Sequence, residues 1–160
     1  MPQHLSVSPT RRLRLIAHNI RSLWNIGSFF RSADAANIEH VYLTGYTAVP
    51  PRYEITKTAL GAEEWIPWSQ YADVMDAVKH ARDSEFSIVS LERTDSSISL
   101  YEYEWDDAVC LIVGHEIDGV PKAVQESSDA TVHIPMEGKK QSLNVSVAAG
   151  IALSAARNVA

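Results

Sequence analysis

Three short stretches carry side chains able to do chemistry. The first runs from Asn19 to Arg31 and sets Arg21, Asn25 and Arg31 among apolar residues. The second is Gly114-His-Glu-Ile-Asp-Gly119, a glycine turn after an apolar run, in which Glu116 reads as a buried carboxylate. The third is Gln141-Ser-Leu-Asn144, polar and placed at the start of a long apolar segment. Together they supply amide, hydroxyl, carboxylate and guanidinium groups, with loops rich in backbone donors, and so suit a polar ligand. Each also has a plain structural explanation. Asn25 suits a helix start beside a surface arginine, the second stretch suits a simple turn, and the third suits a helix cap. Asn25 and Arg31 lie six residues apart, nearly two helical turns, and are read as sharing one side.

Several other chemistries lack their pattern. The first strand is followed by His18-Asn-Ile-Arg21, which is no Gly-x-Gly-x-x-Gly dinucleotide turn. Gly138-Lys-Lys140 lacks the first glycine and the hydroxyl residue of a P-loop. His115-Glu116 lacks the second histidine of a zinc protease. The six histidines (4, 18, 40, 80, 115 and 133) show no ligand spacing, so no metal is expected. His115 reads as a rim residue. Trp24 reads as a staple or core residue, with base stacking kept open by its basic neighbours.

The elements that must position these groups alternate between strand and helix. Leu13–Ala17, His40–Thr44, Phe86–Leu91, Ala108–Val113 and Thr131–Ile134 are short apolar runs of the buried, parallel kind. Helices are expected over Asn25–Ala36, Tyr71–Ser84, Val120–Ser127 and Ser142–Val159. Residues 46–69, broken by Pro50-Pro51 and Pro67, read as irregular. The pattern predicts an α/β fold, a mainly parallel sheet with helices on both faces. In such a sheet, ligands bind at the carboxyl ends of the strands, where the second and third stretches fall. The last helix is apolar nearly all round, which asks for burial on every side. It is either a central core helix or one whose outer face meets a second subunit.

The chain has 160 residues, enough for a single domain with its own core. Its 46% hydrophobic and 21% charged content is that of a water-soluble globular protein. The sequence shows neither an export leader nor a spanning segment, and Cys110 is the only cysteine, so a cytoplasmic location is expected. A net charge of −6 argues against non-specific coating of nucleic acid. The cations are uneven, however. Arg11, Arg12, Arg14, Arg21 and Arg31 crowd the amino end, and Lys139 and Lys140 flank the third stretch.

Order and spacing of these motifs resemble the SPOUT class of methyltransferases, in its TrmH (SpoU) branch. Asn25-Ile-Gly27 with Arg31 matches the family's first motif, and Leu111 to Gly119 its second. Ile134-Pro-Met-Glu-Gly through Ser142-Leu-Asn-Val-Ser-Val-Ala148 matches its third, and the likeness covers about residues 13 to 158. The resemblance implies one SPOUT domain over residues 1–160 with a deep trefoil knot from about residue 86. It implies S-adenosyl-L-methionine held by Leu91, Gly114, Ile134, Met136, Ser142 and Leu143. It implies transfer of the methyl group to a ribose 2′-hydroxyl of RNA, with Arg31, Asn25, Ser142, Asn144 and Glu116 as catalytic residues. It further implies a homodimer through the knot helices. Arg11, Arg12, Arg21, Lys139 and Lys140, with Arg14 and Arg52, are candidate phosphate contacts. Minimal members of the class act on tRNA, so tRNA is favoured over rRNA. The competing reading is a non-catalytic RNA-binding protein that keeps the fold.

Overall fold

The computed structural model describes residues 10–159, so His4 and most of the segment read for a leader lie outside it. Within these residues seven strands form one sheet: β1 (Arg12–His18), β2 (His40–Thr44), β3 (Trp68–Tyr71), β4 (Ser87–Leu91), β5 (Ile98–Ser99), β6 (Ala108–Val113) and β7 (Ala130–His133). Their order is β3-β2-β1-β6-β4-β7-β5, and each pairing is parallel. Among the described residues, five helices cover the sheet: α1 (Leu23–Ala35), α2 (Tyr53–Ala59), α3 (Val74–Asp83), α4 (Lys122–Ser127) and α5 (Val145–Asn158).

Side chains alternate across a strand, and here both faces are buried. Leu13, Leu15 and Ala17 of β1 join Leu111 and Val113 of β6 in a core shared with α1, α2 and α5. Ile16, Cys110 and Ile112 face the other way, into a second core closed by α3 and α4. Burial pushes the Cys110 thiol well up, so it stays protonated and inert.

Local chemistry sets the helix boundaries. Ser22 caps α1 by accepting the Asn25 N–H at 3.2 Å. Asp73 caps α3 by accepting the Met75 N–H at 2.9 Å, and Val74, Ala77, Val78 and Ala81 turn inward as the periodicity predicts. Asn144 caps α5 through the Ser146 N–H at 2.9 Å. Gly27 lets α1 and α2 meet closely, because a Cβ there would collide with the Ile55 carbonyl and the Thr58 hydroxyl.

Three expectations need correction. The stretch 46–69 contains α2, a short 3-10 turn at Ala62–Glu64 and the start of β3. Seven helical residues and a four-residue edge strand are too short to print a period, and the prolines mark their starts. The helix expected from Tyr71 begins at Val74, since Tyr71 ends β3 and Asp73 is the cap. The last helix begins at Val145, leaving Ser142 and Leu143 in the preceding loop.

Burial of α5 is also one-sided. Ala149, Ala152, Leu153, Ala155 and Ala156 face the chain's own core, and Gly150 lies against Ser32 of α1. The small residues therefore serve a contact within the chain. Val147 is 50% exposed and Ile151 only partly covered.

Candidate active site

The crevice forms where the strand order reverses. From β1 the chain steps outward to β2 and β3, then crosses to the other half, and β6 closes against the far side of β1. The loops after β1 and β6 therefore leave neighbouring strands side by side. Ligands of open α/β sheets lie at such a point.

Glu116, in the loop after β6, bridges this gap. Its carboxylate accepts the Arg21 N–H at 3.1 Å, the Ser22 N–H at 3.1 Å and the Asn25 side-chain amide at 3.4 Å. Glu116 is exposed, not buried as its sequence setting had implied. Partial burial pushes its carboxyl up, but the N–H donors of Ser22 and Arg21 and the Asn25 amide outweigh this and hold it below the usual carboxylate range. The carboxylate also lies at the amino end of α1, where the helix dipole favours negative charge.

The turn itself is closed by His115 and two glycines. His115 Nδ1 accepts the N–H groups of Ile117 at 3.0 Å and Asp118 at 2.9 Å. That atom is therefore an acceptor, and its 3.5 Å approach to the Asp118 carboxylate is no ion pair in this state. Gly114 has no room for a side chain, since a Cβ would strike the Gly119 carbonyl and the Val120 nitrogen. Gly119 has a φ of +70°, and Glu92 accepts the neighbouring Val120 N–H at 3.0 Å.

A pocket opens over the loops after β4, β6 and β7. Leu91, Gly114, Ile134, Met136, Ser142 and Leu143, the six residues expected at a cofactor, all line it, and Glu116 stands on its wall. Glu92, Arg93 and Ile117 also line it and were missed by sequence reasoning, although each is adjacent or close to a residue it had singled out. Asn25, Arg31 and Asn144 do not line this pocket. Asn144 spends its carbonyl oxygen on capping α5, accepting the Ser146 hydroxyl at 2.6 Å as well as its N–H.

Arg31 is exposed on α1. Six residues give about 1.7 turns, so Asn25 and Arg31 project about 120° apart rather than to one side. Trp24, seven residues before Arg31, is the residue that shares its face, and it is 47% exposed rather than core.

The candidate phosphate contacts divide. Arg12 and Arg14 pair with Glu39, each at 2.9 Å. Arg11 donates to the carbonyls of Asp106, Trp105, Ala156 and Val159. All three lie at the amino end of the sheet, opposite the pocket, with their charges already engaged. Arg21, Arg52, Lys139 and Lys140 are exposed, and their side chains have no hydrogen-bond or ion-pair partner among the described residues.

A parallel sheet whose pocket is lined by the loops after β4, β6 and β7 defines an α/β protein with a candidate ligand site at the carboxyl ends of its strands. The model of the SpoU rRNA Methylase family matches residues 12–154, and the chain belongs to that family. It is 30% identical over 141 residues to the 23S rRNA (guanosine-2′-O-)-methyltransferase RlmB of Vibrio vulnificus, covering 88% of this chain and 57% of that protein. It is likewise 30% identical over 142 residues to the tRNA (guanosine(18)-2′-O)-methyltransferase of Aquifex aeolicus, covering 88% of this chain and 66% of that one. The chain thus spans less than two thirds of either relative. The SpoU methyltransferase AviRb from Streptomyces viridochromogenes, solved in complex with AdoMet, superposes with a TM-score of 0.82 at 26% identity, over 93% of this chain and 60% of that one.

Proposed function

We propose that this protein transfers a methyl group from S-adenosyl-L-methionine to a ribose 2′-hydroxyl of RNA. The observation that carries the reading is the convergence of the loops after β4, β6 and β7 on one pocket, tied through Glu116 to the helix that bears Asn25 and Arg31. The pocket suits the cofactor chemically. Leu91, Ile134 and Leu143 offer apolar walls for a purine, and Glu92 and Glu116 offer carboxylates to a sulfonium and an ammonium group. When bound, the cofactor supplies an electrophilic methyl group.

The chain's residues have two tasks, positioning and proton handling. Glu116 fixes the loop after β6 against α1. Ser142 stands where cofactor and ribose meet. Asn25 and Asn144 orient the ribose side. Arg31 anchors the adjacent phosphate and polarises the hydroxyl. Arg21, Lys139 and Lys140 add phosphate contacts, which supply affinity without sequence choice.

The protein acts in the cytoplasm as a homodimer through α5, a reading supported by the unburied Val147 and Ile151. Its carboxyl-terminal part, from about residue 86, threads as a trefoil knot. The RNA is tRNA in the first instance. The relatives divide between rRNA and tRNA enzymes, so the assay must offer both. Purified protein with labelled S-adenosylmethionine should label unmodified tRNA more strongly than rRNA. Absence of cofactor binding by calorimetry would sink the reading, and preferential labelling of rRNA would reverse the substrate choice.

A further inference from the structure

Trp24 and Tyr53 are large rings left 47% and 69% exposed on the neighbouring helices α1 and α2. Their centroids are 6.3 Å apart and their planes cross at 81°, so they form a corner with one ring as floor and the other as wall. Neither helix needs the indole there. Trp24 is the second residue of α1, whereas a hydrophobic staple joins the residue before the cap to the fourth. The α1–α2 contact is already secured by the Thr58 hydroxyl, which donates to the Trp24 carbonyl at 2.8 Å.

The corner is edged with cations. Arg31 shares the face of Trp24, about 10 Å further along α1. Lys57 lies one turn beyond Tyr53 on α2, and Arg52 directly precedes it. The side chains of Arg31, Arg52 and Lys57 have no hydrogen-bond or ion-pair partner among the described residues. Of the nearby acids, Asp34 is engaged by the Trp65 indole N–H at 2.8 Å and Glu54 is partly covered.

We propose that Trp24 and Tyr53 stack an unpaired base of the RNA, close to the nucleotide whose ribose is methylated, while Arg31, Arg52 and Lys57 hold the phosphates beside it. This rests on the RNA methyltransferase reading. Aromatic faces stack bases of any identity, and cations follow the backbone. An unpaired nucleotide is required, because bases within a helix hide the faces that stacking uses. A second copy of this chain fits less well, since a two-fold contact sets a patch against itself and would bring these cations together.

The test measures binding of an unstructured oligoribonucleotide by fluorescence anisotropy across a salt series. Trp24→Ala and Tyr53→Ala should each weaken binding by about tenfold or more, with the salt dependence unchanged. Trp24→Phe should keep most of the affinity. Arg52→Ala should lower the slope of log affinity against log salt by about one. Cofactor binding by calorimetry should stay at the wild-type level in all four. If Trp24→Ala and Tyr53→Ala bind RNA like a wild-type protein that does methylate RNA, the stacking corner falls and the methyltransferase reading stands. If the wild type neither binds nor methylates RNA, both fall. If either variant turns a dimer into a monomer by light scattering, the face is a subunit contact and the proposal is overturned. Should Trp24→Ala fail to fold, Tyr53→Ala, which alters only a ring that is mostly in solvent, decides the matter.

Discussion

At the amino ends of the strands, Arg11, Arg12, Arg14, Arg82 and Arg157 all have partners in the chain: backbone carbonyls, Glu39 or Asp129. At the carboxyl ends and on α1 and α2, the side chains of Arg21, Arg31, Arg52, Lys57, Lys139 and Lys140 have none among the described residues. The same residue types thus tie the fold together at one end of the sheet and remain available at the other. A count of positive charge along the sequence cannot separate these uses. By sequence Arg11 and Arg12 are as suited to RNA as Arg21, and only their partners set them apart. What marks a candidate phosphate contact in an acidic protein is a cation with nothing to hold.

Four substitutions or titrations can break this contrast. The largest effect is expected for Arg31→Ala, which should lower kcat/KM for methyl transfer by about two to three orders of magnitude, the usual cost of removing a charge aimed at the reacting group. Cofactor affinity should be unchanged, because Arg31 does not line the pocket; undiminished activity would remove Arg31 from the mechanism. Next comes Gly114→Ala, whose added Cβ meets the backbone of Gly119 and Val120. It should cost about 1–3 kcal/mol of stability, read by thermal denaturation, and abolish cofactor binding. A variant that binds cofactor normally would show that the turn is not part of the site.

The third concerns pH at the amino end. His40 is pushed down to about 4 by burial first, then by Arg14 and His80. Its neutral form is favoured in the fold, so its contribution is fully present above the ordinary value of 6.5 and is lost as pH falls toward 4. Wild-type stability should therefore fall with acidity across that window, by up to about 1.4 kcal/mol per pH unit for this one proton. His18, lowered chiefly by burial, acts in the same direction. His40→Gln should flatten the curve of urea midpoint against pH; an unchanged slope would assign the effect elsewhere. The smallest effect belongs to Arg12→Ala. Loss of an exposed pair with Glu39 should cost at most about 1 kcal/mol and leave RNA affinity alone. A loss of RNA binding in this variant would dissolve the contrast between the two ends.

Much of this was legible in the chain itself. β2 and β6 fell on the expected residues, because buried parallel strands write themselves as apolar runs bounded by polar ones. The inward stripe of α3 was equally plain. Four of the pocket-lining residues, Ile134, Met136, Ser142 and Leu143, were readable as a group because the third motif is one continuous stretch leading from β7 into α5. By contrast, α2, β3 and β5 are too short to carry a period, and their positions come from tertiary packing. The bond from Glu116 to Ser22 joins residues 94 apart and has no local signature. On α1 an offset of six residues sets Asn25 and Arg31 on different faces, whereas an offset of seven puts Trp24 beside Arg31.

Glu116 has a thermodynamic corollary. It belongs to the pocket wall and, through Arg21, Ser22 and Asn25, to the starting turn of α1. A ligand that settles the loop after β6 therefore also settles the root of the helix presenting Arg31. If the methyl donor sharpens the grip on RNA by this route, RNA must sharpen the grip on the donor by the same factor. A single carboxylate would then set the order in which the two substrates are worth binding.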